Sequence, residues 1–302
     1  PVTRLAKIVL VAKRESAKDS LETIEATAPG LDFERVRIET RGDKDQHTPL
    51  STLAGTGLFV KELEAALIRD EIDFAIHSLK DVPFEVAPGC ALFYLKREDP
   101  RDALLTPHAS LEALPKDALV GTGSPRRIAQ LRAVRPDLRF QDLRGNLDTR
   151  IKRLEAGDFD AIVLACAGLS RLGWQDKIRQ PLDADVCIPA FGQGVLALEC
   201  RVDRLDVVEI LERACDADAK LAAETERTLM KALGGGCKTA LAALAEPVGN
   251  HMRIRAMVGD HHTGRLVRRD WTGARDYAPI QAAIMARDLR QEATALGFFP
   301  GA

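Results

Sequence analysis

The sequence predicts an α/β protein with mainly parallel strands and a smaller α+β unit toward its C-terminal end. Short apolar runs (KIVLVAK, DFAIHSL, ALVGTGS, FDAIVLACAGL and GVLALECR) alternate with amphipathic stretches such as VKELEAALIRD and RRIAQLRAV. That alternation is the pattern of helices laid over a sheet. Two punctuated breaks, LKREDPRD at 95–102 and IPAFGQG at 188–194, enclose a block of the size of one small α/β domain. From about residue 218 the order changes to one helix followed by alternating strand patterns.

Each element has a local reason. KIVLVAK and DFAIHSL are β-rich apolar runs of strand length. In VKELEAALIRD, Val60, Leu63 and Leu67 recur at helical spacing, so one face is buried and the charges solvate the other. ALV leads into GTGSPRR, where Ser124 is a natural N-cap and Pro125 suits the first helical turn of RRIAQLRAV. LRGNLDTR places a turn at Gly145-Asn146 ahead of another helix. FDAIVLACAGL and GVLALECR read as buried strands, AKLAAETERTLMKAL as a helix, and LAALAEPV and MRIRAMVGD as strands.

Composition excludes several classes. The chain has 302 residues, 46% of them hydrophobic, and 43 basic against 45 acidic side chains give a formal charge of -2. No global field recruits nucleic acid or an anionic membrane. No apolar run reaches the roughly 18–20 residues of a membrane span, and no signal-peptide core is present, so a cytoplasmic protein is expected. The six cysteines, Cys90, Cys166, Cys187, Cys200, Cys215 and Cys237, form no CxxC pair and have no histidine at ligand spacing. Neither a disulfide framework nor a metal site is predicted. Cys166 and Cys200 sit in apolar runs and read as buried small hydrophobes.

Three stretches carry chemistry. GTGSPRR at 121–127 combines free N–H groups at a helix start with Arg126 and Arg127, a cradle for carboxylate or phosphate. It is neither a P-loop nor a dinucleotide fingerprint. From Arg126 to Arg153, nine Arg or Lys stand against three Asp, a local net of +6 that includes Arg144 and Arg150. Arginine's planar fork binds carboxylates bidentately, which suits an organic polyacid. Arg132, Arg135 and Arg139 are expected to solvate a surface. Nucleic acid is the competing ligand; only 5% of residues are aromatic, and Phe140 is the one ring in this block, so stacking platforms are lacking. In HSLKDVP, Asp81 lies just past the end of a strand, where open α/β sheets bind ligands, and it is either an ordinary turn residue or a group that steadies positive charge. His77 reads as structural. Finally, LGGGCKTA sets Cys237 behind three glycines, either a helix C-cap and loop or a loop that presents sulfur to a ligand.

Taken together, TRGDKDQHTPL, GLFVKELE, HSLKDVP, KREDPRDAL, GTGSPRR, LRGNLDTR, AGLSRLG, AFGQG and GGGC, in this order from about residue 4 to 240, resemble the porphobilinogen deaminase (hydroxymethylbilane synthase) family. The resemblance implies two periplasmic-binding-protein-like lobes around a cleft plus a smaller C-terminal α+β domain. Lobe one would comprise 1–96 with 194–216, lobe two 97–193, and the last domain 217–302. It implies a covalent dipyrromethane cofactor, joined by a thioether to Cys237, and porphobilinogen as substrate. Four substrate molecules would be joined head to tail, each losing ammonia through an electron-poor azafulvene, and water would release 1-hydroxymethylbilane. Asp81 matches the catalytic aspartate. Arg14, Ser16, Lys80, Arg126, Arg127, Arg144, Arg150 and Arg171 match substrate and cofactor contacts, as do, less closely, Ser78 and Gln193 in the AFGQG hinge region. A cytoplasmic monomer with no metal, nucleic-acid or membrane partner is implied.

The chain departs from the family pattern at Lys18-Asp19, where a Leu-Ala step is usual, at Thr56, which stands in place of a lysine, and at Ala240 and Ala242, where proline and glycine are usual. Loss of a cationic contact at Thr56 makes a catalytically impaired two-lobe binding protein for polycarboxylated pyrroles the alternative.

Overall fold

The computed structural model describes residues 6–10, 24, 33–36, 60–234 and 240–299. Two units divide the chain: residues 1–98 with 194–223, and residues 99–193 with 224–302.

In the first unit, β1 (Ala6–Leu10), β2 (Phe33–Val36), β3 (Phe74–Ser78), β4 (Cys90–Tyr94) and β10 (Leu196–Arg201) form one sheet in the order β2-β1-β3-β10-β4. Side chains of a strand alternate between faces. Phe74, Ile76, Leu196 and Leu198 pack on one side with Val207 and Leu211 of helix α5 (Leu205–Ala214). Ala75 faces the other side with Leu63, Ala66 and Leu67 of helix α1 (Lys61–Ile68). Val60, Leu63 and Leu67, the positions that predicted this helix, are all buried.

In the second unit, β5 (Asp102–Leu105), β6 (Leu119–Gly121), β7 (Arg139–Gln141), β8 (Ala161–Ala165) and β9 (Gln180–Leu182) follow the order β7-β6-β8-β5-β9. Leu104, Val120 and Val163 share one face with Leu131 of helix α2 (Pro125–Val134). Ala103, Leu105, Ile162 and Leu164 share the other with Ile151 of helix α3 (Leu147–Glu155). The FDAIVLACAGL run divides into β8 and a short helix, α4 (Cys166–Ser170).

The expectation of mainly parallel strands is corrected. Among the described strands, β1–β2, β1–β3, β6–β7 and β6–β8 are parallel, whereas β10 runs antiparallel to β3 and β4, and β5 antiparallel to β8 and β9. Parallel neighbours require a crossover. β10 instead re-enters its sheet after the excursion from residue 95 to 195, a connection that imposes no direction.

Helix α6 (Ala217–Leu233) ends at Gly234, whose φ of 63° and N–H bond to Met230 O make the glycine stop read from LGGGC. Beyond it, β11 (Ala240–Val248), β12 (His251–Gly259) and β13 (Leu266–Ala274) form an antiparallel sheet. The last helix, α7 (Ala278–Ala295), buries Ala278, Ala282, Met285, Ala286, Leu289 and Ala293, one stripe at helical spacing. Ala240, Ala242 and Leu244 pack with Ala129 of α2. Among the described residues no helix is long and apolar enough to cross a membrane.

Candidate functional site

The HSLKD turn is built by alternating burial. Leu79 and Val82 are buried, and the Leu79 N–H donates to Val195 O at 3.0 Å, so this short 3-10 turn is pinned against β10. Lys80 and Asp81, between those anchors, are exposed at the C-terminal end of β3, with Ser78 half-buried beside them. His77 is held inside, as expected of a structural histidine. Its Nε2 lies 2.9 Å from Glu199 Oε2, and both residues are buried on the face covered by α1.

In the second unit, the β5 alternation that sends Leu104 toward α2 also sends Asp102 there. Asp102 is 0% exposed, and Arg126 and Arg127, at the start of α2, are 6% and 8% exposed. Ser124 caps the helix by accepting from the Arg127 N–H, and Pro125 follows it, as the sequence predicts. Arg126 Nη1 donates to Asp102 Oδ2 at 2.6 Å and to Ile188 O at 2.7 Å. Arg127 Nη2 and Nε donate to Asp102 Oδ1 at 2.7 and 3.0 Å, and its Nη1 to Val163 O at 2.7 Å. Gln193 Nε2 donates to the same Oδ1 at 3.0 Å and to Pro100 O at 2.7 Å. Burial alone would push the Asp102 carboxyl up; the two arginine charges overcome it and hold the group well below the usual carboxylate range.

Two cations therefore share one buried anion at a helix N-terminus, which leaves a net positive charge in a place where the helix favours anions. The residues fit a dipyrromethane on this count, since such a group carries acidic arms. The same arrangement makes a stability prediction. Asp102→Asn leaves both guanidinium groups uncompensated and is expected to cost about 3–5 kcal/mol at pH 7. A carboxyl with a lowered folded pKa stabilises the fold above its unfolded value of about 3.9, and this contribution is lost as pH falls toward the folded value. Urea titrations between pH 7 and 3 should show the gap between wild type and variant closing below about pH 4. A gap that is independent of pH would contradict the assignment.

The other predicted arginines are placed by the LRGN turn and α4. Arg144 Nε donates to Asp142 Oδ2 at 2.7 Å, and Arg150 Nε to the carbonyl of Gly145 at 2.8 Å. Gly145 has a φ of 98°, and Asn146 caps α3 by accepting from the Thr149 N–H. Gly123 is required by close approach, since a Cβ there would lie 2.2 Å from Asp142 Oδ1. Arg171 is the half-buried C-cap of α4. Arg126, Arg127 and Gln193 thus meet at Asp102, and Arg144 and Arg150 meet at one turn. Ser78, Lys80 and Asp81 share another turn, in the other unit. Arg14, Ser16 and Cys237, with Lys18, Asp19 and Thr56, lie outside the described residues.

The solvating role expected for Arg132, Arg135 and Arg139 holds for exposed Arg139 and is corrected for half-buried Arg132 and Arg135. Arg135 donates to Leu111 O at 2.7 Å and Leu114 O at 3.1 Å, and Arg139 to Asp117 O at 2.8 Å. Arg132 donates to His261 O and stacks 5.1 Å over the Phe140 ring. These are loop-closing contacts, because carbonyls left over by turns need donors. Sequence reasoning also missed Asp102 and Glu226. Buried Glu226 accepts from Gly192 N–H at 2.6 Å and from Ala245 N–H at 2.8 Å, tying the AFGQG loop to β11. A charge at the head of an apolar strand, as in DALL, was the available signal for Asp102.

Four cysteines are unsuited to covalent chemistry. Burial pushes the thiols of Cys166, Cys187 and Cys200 up to about 12, and that of Cys90 to about 11.

The first unit thus carries an exposed Asp81 at a strand end, and the second a guanidinium pair around a buried carboxylate, each in an α/β unit. The model of the porphobilinogen deaminase dipyrromethane cofactor binding domain matches residues 3–209, and that of the porphobilinogen deaminase C-terminal domain residues 220–293. The chain belongs to the porphobilinogen deaminase family. It is 43% identical to the porphobilinogen deaminase of Syntrophomonas wolfei over 275 residues, 90% of this chain and 89% of that one. To that of Streptococcus sanguinis it is 44% identical over 266 residues, 83% of this chain and 86% of the relative. Matches among solved structures include the periplasmic VFT2 domain of Bordetella pertussis BvgS, with a TM-score of 0.40, 18% identity, and coverage of 70% of this chain and 87% of that one. Another is the second substrate binding domain of a putative amino acid ABC transporter from Streptococcus pneumoniae, with a TM-score of 0.43, 12% identity, and coverage of 76% and 95%.

Proposed function

We propose that the protein is a hydroxymethylbilane synthase, a transferase of tetrapyrrole biosynthesis that condenses four porphobilinogen molecules, with loss of four ammonia molecules, and releases the linear tetrapyrrole by addition of one water. The carrying observation is family membership at 43% identity over 90% of the chain, and the Arg126–Arg127 pair around Asp102 supports the reading by its net positive charge.

Each residue has a physical task. Asp81 accepts a hydrogen bond from the substrate pyrrole N–H and offsets the positive charge that develops as ammonia departs. Ser78 and Lys80 orient the substrate from the same turn. Arg126, Arg127, Arg144, Arg150 and Arg171 hold acetate and propionate groups, with Arg14 and Ser16 completing the set, and Gln193 steadies the pair at Asp102. Cys237 anchors the dipyrromethane, which when bound supplies the pyrrole carbon from which the product chain is extended. The three-domain division 1–96 with 194–216, 97–193 and 217–302 belongs to this reading, as do a cytoplasmic location and a monomer, which light scattering would register as a single-chain mass.

Incubation with porphobilinogen, with ammonia and bilane quantified together, tests the reading. Four ammonia molecules per bilane are expected. Tight pyrrole binding without ammonia release would favour the impaired binding protein instead. Salt-sensitive binding of an oligonucleotide by the 126–153 segment would count for the nucleic-acid alternative.

A further inference from the structure

We propose that Asp102 is a positioning residue: it sets the guanidinium groups of Arg126 and Arg127 for capture of a substrate carboxylate and ties their placement, through Gln193, to two of the three segments in which the chain passes between the units, at 98–99 and 193–194. The proposal rests on the reading that these arginines bind acidic pyrrole arms.

Asp102 is 0% exposed, so it does not meet a substrate itself. Both its oxygens are engaged: Oδ2 by Arg126 Nη1 at 2.6 Å and the Cys187 thiol at 3.3 Å, Oδ1 by Arg127 Nη2 at 2.7 Å and Gln193 Nε2 at 3.0 Å. Each guanidinium is also held by a backbone carbonyl, Arg126 Nη1 by Ile188 O and Arg127 Nη1 by Val163 O, both at 2.7 Å. Arginine side chains ordinarily lose rotamer freedom when they grip a ligand. Here that freedom is already gone, so an incoming carboxylate meets donors fixed in place.

The second half of the inference comes from Gln193. It is the last residue of its segment before the chain leaves the unit, and Pro100 lies next to an earlier crossing, between residues 98 and 99; the third crossing, between residues 223 and 224, is not part of this link. One amide nitrogen donates to both Pro100 O, at 2.7 Å, and Asp102 Oδ1, at 3.0 Å. Glu226 secures the adjacent Gly192 N–H at 2.6 Å. Any shift of Asp102 that follows capture of a carboxylate by the arginines is therefore shared with these two of the three crossing segments. A carboxylate that merely neutralised two buried cations would need no such link.

Asp102→Glu separates positioning from neutralisation, because it keeps the charge and displaces it by about one C–C bond, 1.5 Å. The expected result is a folded holoenzyme whose kcat/KM for porphobilinogen falls about 10–100-fold, the scale of a misplacement of about 1 Å. The loss should lie in KM, with kcat within about threefold, and intact mass should show a smaller fraction of chains carrying the dipyrromethane increment. Normal KM and full loading in Asp102→Glu would overturn the proposal. Should that variant fail to fold, Gln193→Met decides: it leaves Asp102 and both arginines in place, and KM is expected to rise about three- to tenfold, less than one hydrogen bond to a charged group is worth at its upper limit. An unchanged KM there would overturn the link to the crossing segments. Arg127→Gln serves as the reference. If it leaves KM unchanged, the arginine assignment itself fails; if it raises KM while Asp102→Glu does not, only the positioning role fails.

Discussion

Asp81→Asn is expected to give a folded protein whose turnover is about 10²–10³-fold lower, the loss associated with removing one group aimed at developing charge. Folding should survive because the turn is held by buried Leu79 and Val82 and by the Leu79 N–H bond to Val195 O, none of which involves the exposed Asp81 side chain. Asparagine keeps the size and one acceptor oxygen, so the substrate N–H still finds a partner and KM should change little. What is lost is the full negative charge that opposes the cation formed as ammonia leaves, and charge that matters only in the transition state appears in kcat. Steady-state ammonia release, with circular dichroism and melting temperature as controls for folding, checks the result. Turnover within about threefold of wild type would remove Asp81 from the mechanism.

How much of this was legible in the sequence depended on whether the determining interaction was local. Helices α1, α2 and α3 were readable because their signals lie within one turn: Val60, Leu63 and Leu67 at helical spacing, Ser124-Pro125 as cap and first turn, and Gly145-Asn146 as turn and cap. Strand direction was not readable, because β5 and β10 run antiparallel to partners far away in the chain, and apolar composition is the same either way. The third C-terminal strand, LVRRDWTGA, also escaped notice. Three consecutive charged residues, Arg268, Arg269 and Asp270, sit in the middle of this edge strand and leave no apolar run. The arginine cluster was visible as a local surplus of charge, yet its division into a buried pair at Asp102 and loop-closing Arg135 and Arg139 was not. That division depends on which carbonyls and carboxylates the fold brings within reach, and Asp102 and Arg126 are separated by 24 residues.

Cys237→Ser is expected to remove the dipyrromethane mass increment and lower activity below about 1% of wild type, since a serine hydroxyl remains protonated and poorly nucleophilic where a thiol still offers a few per cent thiolate. Rival attachment sites are poor for a physical reason. Burial pushes the thiols of Cys166, Cys187 and Cys200 up to about 12, and that of half-buried Cys90 to about 11, which keeps them in the poorly nucleophilic protonated form at neutral pH. Cys215, half-buried, already accepts from the Tyr94 N–H through its sulfur at 3.5 Å. The ends of the Cys237 segment are fixed: Gly234 closes α6 on the carbonyl of Met230, and Ala240 begins β11 paired with Gly259. Substitution of one small side chain between those anchors should leave the protein folded, with a melting temperature lowered only by loss of the group that the native state binds. Intact mass spectrometry of wild type should therefore exceed the sequence mass by one dipyrromethane, and Cys237→Ser should return to the sequence mass. An increment that persists in the variant would move the attachment to another cysteine, and with it the origin from which the product chain is built.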